Sequence, residues 1–160
     1  MIAWRLPAAS STPRVTVWRT LRRIGAVPLT PGAAILPFSD DHQERLDWLA
    51  QDVDDAGGQA WVLPVTQLAA EEEARITAQS MADRDEEFAR LLMEAREVAE
   101  SAGRGEDHGR RIASLRRQLE AVCRRDHFNA PLRQDAVELI GAPGGPLPPA
   151  SQLRRTRTRR

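Results

Sequence analysis

Residues 12–26 read TPRVTVWRTLRRIGA and predict a complete helix, with a start, two distinct faces and an end. Thr12 is a suitable N-cap, Pro13 suits the first helical position, and Gly25 suits the left-handed position after the last turn. At about 100° per residue, one arc of this helix is apolar and a neighbouring arc is cationic. The apolar arc contains Val17, Trp18, Leu21 and Ile24, and the cationic arc contains Arg19, Arg22 and Arg23.

The residues around this helix predict short strands. The apolar run Ile2 to Leu6 indicates a first strand, and residues 26–29 and 33–36 indicate a hairpin. Pro31 and Gly32 between them suit the central positions of a type II turn. Pro28 has no N–H for a ladder, so we expect its strand at an edge of the sheet.

A second helix and a last strand complete the N-terminal part. Asp40 or Asp41 is expected to cap a helix whose apolar positions are Leu46, Leu49, Val53 and Ala56. Gly57 and Gly58 end this helix, and residues 60–63 with Val65 form the next strand. The order predicts an α+β ferredoxin-like βαββαβ domain over residues 1–68, with both helices on one face of a four-stranded antiparallel sheet. Other arrangements of such short strands stay open.

The rest of the chain is predicted to be helical and then irregular. Residues 69–101 contain no Pro or Gly and carry the apolar stripe Phe88, Leu91, Leu92, Ala95 and Val98. After a break at Gly103–Gly105, the seam Ile112, Leu115, Leu119 and Val122 indicates a partner helix in an antiparallel α-helical hairpin. A short helix is expected from Arg133 to Ile140, which ends a region of residues 69–140. Residues 141–160 form a Pro/Gly-rich and then Arg-rich tail, for which we expect disorder.

Charge is strongly segregated along a chain whose formal net charge is zero. Residues 1–37 hold five Arg and no acid, residues 38–100 hold 17 acids against five Arg, and residues 101–160 hold 13 Arg against six acids. No run is apolar enough for a membrane span, and the N-terminus does not resemble a signal peptide. The single cysteine, Cys123, excludes an intramolecular disulfide framework. A cytoplasmic location is therefore expected.

Three segments carry a family resemblance. They are PRVTVWRTLRRIGAVPLTPGAAILP at residues 13–37, DAGGQAWVLPV at residues 55–65 and CRRDHFNAPLR at residues 123–133. Together they resemble the N-terminal domain of the ChrB chromate resistance regulators, over about residues 2–140. An aromatic pair usually follows Arg-Asp in that family, and His127 replaces its first member. Members of the family usually carry a second, C-terminal domain of similar size, whereas this sequence has a short basic tail.

The resemblance implies a transcriptional regulator of a chromate efflux operon, in which the N-terminal domain binds DNA or dimerises. Guanidinium groups contact phosphate oxygens through paired hydrogen bonds. The candidate DNA-binding residues are Arg14, Arg19, Arg22 and Arg23. The alternative is a solvated helix face, or one neutralised by acids such as Glu86, Glu87 or Glu94. The four tryptophans, Trp4, Trp18, Trp48 and Trp61, are expected in the core rather than stacked on bases.

The second helix of the predicted hairpin, which contains Ile112 to Val122, and the residues after it suggest two further candidate sites. Arg124, Arg125 and Arg133 are candidates for binding an oxyanion, although such arginines more often pair with acids of the first arm. Cys123 and His127 share a helix face, but two ligands do not make a metal site. Cys123 is expected to be a buried thiol rather than a reactive thiolate favoured by Arg124 and Arg125. No metal or cofactor is therefore expected.

An enzymatic function is not expected. A weaker similarity of layout links the chain to PaaX-type repressors and to the small CRISPR adaptation nuclease. Such a nuclease needs a carboxylate at the end of the first strand, and no acid precedes Asp40. Three functions stay open: a DNA-binding regulator, an oxyanion sensor for chromate or sulfate, and a module that dimerises through its sheet edge or hairpin. That module would bind no DNA, and its partner would be a second copy or a full-length regulator.

Overall fold

The computed structural model of the chain describes residues 1–7, 11–101 and 108–141. In these ranges the protein is a mixed α+β structure with four strands and five helices. The strands are β1 (Ile2–Arg5), β2 (Val27–Thr30), β3 (Ala33–Ile35) and β4 (Gln59–Val62). The helices are α1 (Ser11–Ile24), α2 (Asp40–Asp55), α3 (Ala70–Glu100), α4 (His108–Cys123) and α5 (Arg133–Ile140). The first compact unit comprises residues 1–80, and the second begins at Met81.

The four strands form one antiparallel sheet in the order β2-β3-β1-β4. Ile2 of β1 is paired with Ala34 on one side and with Val62 on the other. The strands β2 and β4 are therefore the two edges of the sheet. The prediction that Pro28 lies on an edge strand is confirmed, because an edge leaves one side of the strand without ladder partners.

α1 and α2 pack on the same face of this sheet. Their buried residues share one apolar cluster with the sheet because the periodicity of each helix turns a narrow stripe toward it. The stripe on α1 is Val17, Leu21 and Ile24, that on α2 is Leu46, Leu49 and Val53, and the sheet contributes Ile2 and Ala34. A smaller cluster joins Val27, Ile35 and Ile76, the last from the first part of α3. The predicted apolar stripes of both helices are thus buried, except at Trp18 and Ala56.

Both helices end in the same way. Gly25 has φ 77° and Gly57 has φ 75°, as predicted for left-handed glycines after the last turn. The amide of Ala26 donates to the carbonyl of Leu21 at 3.0 Å, and that of Gly58 donates to the carbonyl of Val53 at 2.9 Å. These 6→1 hydrogen bonds define Schellman motifs, which satisfy carbonyls that the helix itself leaves open.

Two predicted helix caps and one turn are wrong. α1 begins at Ser11, so Thr12 lies inside the first turn instead of capping it. The N-cap of α2 is Ser39, not Asp40 or Asp41: its hydroxyl accepts a hydrogen bond from the amide of His42 at 3.1 Å. A serine oxygen one residue earlier reaches this amide, and both aspartates then lie in the first turn, where the helix dipole favours them.

Gly32 does not have the positive φ that a type II turn requires. Its role is close approach: a Cβ added there would lie 2.7 Å from the carbonyl oxygen of Trp4. The amide of Trp4 also donates to the carbonyl of Gly32, at 2.7 Å. A side chain at this position would therefore push β1 away from the hairpin.

The second unit is helical. Its apolar cluster combines the predicted stripe of α3 with the predicted seam of α4 and with Ala130, Ala136 and Ile140 around α5. Phe88, Val98, Leu115 and Ile140 are fully buried in it. α3 and α5 have nearly the predicted bounds, since a long uninterrupted stripe and a short one each fix a helix well. The predicted loop at Gly103–Gly105 and the tail beyond residue 141 lie outside the described residues.

The prediction that all four tryptophans are in the core is wrong for three of them. Trp18, Trp48 and Trp61 are 54%, 68% and 51% exposed, whereas Trp4 packs against the core. Trp18 lies at the edge of the apolar arc, beyond the stripe that the short sheet covers. Trp61 is opposite Ala3, on the sheet face turned away from the core to which Ala60 and Val62 contribute. Among the described residues, no helix has the length and apolar character to cross a membrane.

Candidate nucleic-acid interface

The outward face of α1 carries the four predicted DNA-binding arginines. Because Val17, Leu21 and Ile24 turn into the core, the opposite side of the helix faces solvent. All four arginines are exposed: Arg19, Arg22 and Arg23 lie on that side, and Arg14 lies about two turns before Arg22, at the margin of the apolar stripe. Arg22 and Arg23 occupy the last turn, where positive side chains interact favourably with the carbonyl end of the helix. The structure therefore brings these four residues together on one helix.

Two of these arginines are held by local contacts. The guanidinium carbon of Arg22 lies 4.8 Å from the centroid of the Trp18 ring, which is cation–π geometry. Arg14 donates from Nη2 to the carbonyl of Pro7 at 3.0 Å. Within the described ranges, the side chains of Arg19 and Arg23 make neither a hydrogen bond nor an ion pair. Two guanidinium groups thus remain available for an external anion.

The acids considered as neutralising partners have contacts in their own unit. Glu86 pairs with Arg90, and Glu87 pairs with both Arg84 and Arg125. These contacts lie along α3 and between α3 and the segment after α4. Glu86 and Glu87 therefore already contribute to ion pairs within the second unit.

The three arginines considered for oxyanion binding, Arg124, Arg125 and Arg133, are each paired with a carboxylate. Arg125 pairs with Glu87, Arg133 donates to Asp126 at 3.0 Å, and Arg124 lies 4.0 Å from Glu120 in an exposed pair. Only the Arg125–Glu87 pair is of the kind given as the alternative to oxyanion binding, with an acid of α3; the partners of Arg124 and Arg133 lie on α4 and just after it. An anion at Arg125 or Arg133 would have to displace a partly or fully buried carboxylate, which costs more than displacing water.

The sequence analysis missed a group of buried charges around these arginines. Arg84 is 7% exposed and its Nε has no hydrogen-bond partner, while Asp126 accepts from the amide of Ala130 at 3.0 Å. Asp85 accepts from the amide of Leu132 at 2.8 Å. The sequence did contain a signal that Arg84 is buried, because Arg84 lies one helical turn before Phe88 and therefore on the same apolar stripe. These contacts hold the loop before α5, in which Asn129 has φ 55°.

Cys123 is partly buried and packs against the apolar cluster of the second unit. Burial raises the pKa of its thiol, Arg133 opposes this effect, and Asp126 adds to it. The thiol is thus partly buried rather than fully buried as expected, and the arginine that acts on its pKa is Arg133. No group of three or more metal-ligating side chains occurs in the part of the chain that the structure describes.

Comparison with known proteins identifies the family. The model of the ChrB N-terminal domain, described as Protein ChrB, N-terminal, matches residues 14–142. The chain belongs to the ChrB family. It is 30% identical over 158 residues to Protein ChrB of Cupriavidus metallidurans, an alignment that covers 88% of this chain and 47% of the relative. No solved structure matches the chain.

The chain thus spans about half the length of this ChrB relative. The match to the family model includes α1 from Arg14 on, with all four arginines, the strands β2, β3 and β4, and the helices α2 to α5; it begins after β1. The resemblance inferred from three sequence segments is therefore correct. Both the arginine face and the Asp126 loop lie within the matched range.

Proposed function

We propose that this ChrB family member acts in transcriptional control of chromate resistance and binds DNA through the arginine face of α1. The observation that carries the proposal is the exposure of Arg14, Arg19, Arg22 and Arg23 on one helix, in a chain with no acid before Asp40. A helix with several guanidinium groups on one side contacts successive phosphates and releases counterions. Such contacts position a protein on DNA without reading its sequence.

The architecture supports this proposal. The sheet order β2-β3-β1-β4, with two helices on one face, fits a ferredoxin-like domain. The shared cluster of α3 and α4, with Arg125 near Glu87 and Arg111 bonded to Ser101, fits an antiparallel helical hairpin. In this proposal the protein is a cytoplasmic regulator without catalytic activity or cofactor.

A binding assay with matched charge variants tests the proposal. A labelled fragment of the gene's own upstream region is titrated with the full chain at several salt concentrations. We expect tight binding at low salt and a steep loss as salt rises, by about 0.9 in log affinity per log salt unit for each phosphate contacted. Arg22→Glu plus Arg23→Glu should bind at least about tenfold more weakly.

The control is Arg110→Glu plus Arg117→Glu, which makes the same change in charge at exposed positions of α4. It should bind nearly as the unchanged chain does. Equal losses for the two variants would show a general charge effect and would overturn the assignment to α1. Salt-insensitive binding, or no binding at low salt, would also contradict the proposal.

One observation favours a second candidate, a module that binds a protein partner. β4 is an edge strand in which Trp61 is 51% exposed, and Leu63 and Val65 directly after it are 43% and 40% exposed. Residues 56–70 also contain no charged side chain. An exposed, uncharged, apolar edge is suited to adding a strand from another chain. This candidate predicts association that persists in Arg22→Glu plus Arg23→Glu and is lost when Trp61 and Leu63 are changed to Lys.

A further inference from the structure

The helical layer of the first unit has two halves of opposite charge. α1 and α2 pack beside each other on the same sheet face. α1 carries four arginines and no acid, whereas α2 carries seven acids and one arginine, Arg45. All seven of these acids are exposed. The outer surface of the layer is therefore positive along one helix and negative along the other.

Several of these charges have no partner within the described part of the chain. They are Arg19 and Arg23 on α1 and Asp40 and Glu44 on α2. On α2, Glu44 belongs to a shallow groove lined by Asp40, Gln43, Glu44, Asp47, Trp48 and Gln51. Opposite charges thus stand on adjacent helices, both directed to solvent.

Each half of the layer also exposes a large apolar side chain. Trp18 is 54% exposed on α1, and Trp48 is 68% exposed on α2. Trp48 lines the same groove as Asp40, Glu44 and Asp47, so a cation that enters the groove meets both carboxylates and an aromatic ring. Trp and Arg are the residues that most often anchor protein interfaces. The surface therefore combines charge with two apolar anchors.

We propose that this surface is an interface between two copies of the chain, with α1 of each copy lying on α2 of the other. A two-fold interface must be complementary to itself, because every contact from residue i to residue j is repeated from j to i. A surface of one sign would repel its copy. A two-fold axis between α1 and α2 places the positive helix of each copy on the negative helix of the second.

The interface is small. Helices of 14 and 16 residues are about 21 and 24 Å long, and packed helices lie about 8–10 Å apart. The surface that these two helices can bury against a second copy is therefore at the lower end of the range for specific protein complexes. The dimer is expected to be weak and, because charge pairs contribute to it, sensitive to salt. This inference does not depend on DNA binding. Because both would use Arg19, DNA and the second copy would compete for α1.

Charge reversal on one helix at a time tests the interface, by sedimentation velocity of the full chain at low salt and tens of micromolar protein. Arg19→Glu plus Arg23→Glu takes α1 from four positive charges to a net charge of zero, and Glu44→Arg plus Asp47→Arg takes α2 from a net charge of −6 to −2. Each variant thus places like charges opposite each other at the changed positions. Each variant alone should be monomeric, with association weakened at least about tenfold by like charges. An equimolar mixture should form a one-to-one heterodimer, because the two glutamates introduced on α1 of one chain then face the two arginines introduced on α2 of the other, and the second helix pair is unchanged.

The control is again Arg110→Glu plus Arg117→Glu, which should dimerise as the unchanged chain does. All the changed residues are exposed, and circular dichroism with thermal melting checks that each variant is folded. A monomeric unchanged chain would overturn the proposal. So would variants that dimerise normally, which would point to the β4 edge instead, or a mixture that stays monomeric.

Discussion

Arg22 lies over the indole ring of Trp18, with 4.8 Å between the guanidinium carbon and the ring centroid. One turn of α1 thus joins an exposed aromatic residue to a residue of the proposed DNA contact. The cation–π contact restricts the guanidinium near the helix surface, and the ring itself stays more than half exposed. Trp18 is therefore expected to matter more for binding than for stability.

Replacing Trp18 by Ala should lower the free energy of unfolding by about 1 kcal/mol or less, because the ring is largely exposed and an exposed cation–π pair contributes little. Leu21→Ala is the comparison on the same helix. It should cost about 2–5 kcal/mol, since Leu21 is buried in the core. Urea denaturation followed by circular dichroism measures both. A larger loss for Trp18→Ala would place the indole in the core after all.

The two glycines after α2 should respond differently to alanine. Gly57 has positive φ, but a Cβ added there would meet no atom beyond its chain neighbours within 4 Å, so Gly57→Ala should cost only about 1 kcal/mol of backbone strain. A Cβ at Gly58 would lie 2.6 Å from the carbonyl oxygen of Arg5 and 2.9 Å from that of Val53. Gly58→Ala should therefore cost about 2 kcal/mol or more. Thermal melting ranks the variants, and the reverse order would refute the close approach.

The loop before α5 should depend on Asp126. Its buried carboxylate accepts from the amide of Ala130 and from Arg133, so Asp126→Ala leaves that amide without its acceptor and Arg133 with only the backbone carbonyl of residue 126. We expect a loss of about 1–3 kcal/mol from the unsatisfied amide and the lost ion pair. Arg124→Ala is the control, because its exposed pair with Glu120 should contribute no more than about 0.5 kcal/mol. Similar denaturation midpoints for the two variants would contradict this account.

Cys123 should react slowly with iodoacetamide near neutral pH. Burial raises the pKa of its thiol above the ordinary value near 9.0, so the native state holds the proton. Any stability gained from this is present below the unfolded pKa and is lost as pH rises through the folded pKa. Arg133→Ala should slow the reaction further, because Arg133 lowers this pKa. Mass spectrometry of the alkylated chain gives the rates, and the denatured chain supplies the reference rate. If the Arg133→Ala variant reacted faster than the unchanged chain, Arg133 would not lower the pKa of Cys123 and this account would be wrong.

Much of the fold was predictable from local patterns. The left-handed glycines at 25 and 57 follow from the need of a helix end for positive φ. The long helix α3 and the short helix α5 follow from uninterrupted apolar stripes. The Ser39 cap was missed because Ser39, Asp40 and Asp41 are all good caps, and only the path of the chain after Phe38 selects among them.

The features of the candidate site also fall into those that the sequence predicts and those that depend on tertiary structure. The sequence by itself determined that Arg19, Arg22 and Arg23 share one arc of α1 away from the apolar stripe, because helical periodicity fixes the direction of each side chain. It also determined the family. Only the tertiary structure decided that Trp18 and Trp61 are exposed, since this depends on what packs beside the margin of the apolar arc of α1 and on which face of the sheet is covered. The exposure of Trp48 could have been predicted, because helical periodicity places it about 200° from Leu46, opposite the buried stripe of α2. Only the tertiary structure, likewise, joined Arg125 to Glu87 and Arg133 to Asp126, because ion pairs between separate segments depend on distances that the linear sequence does not contain.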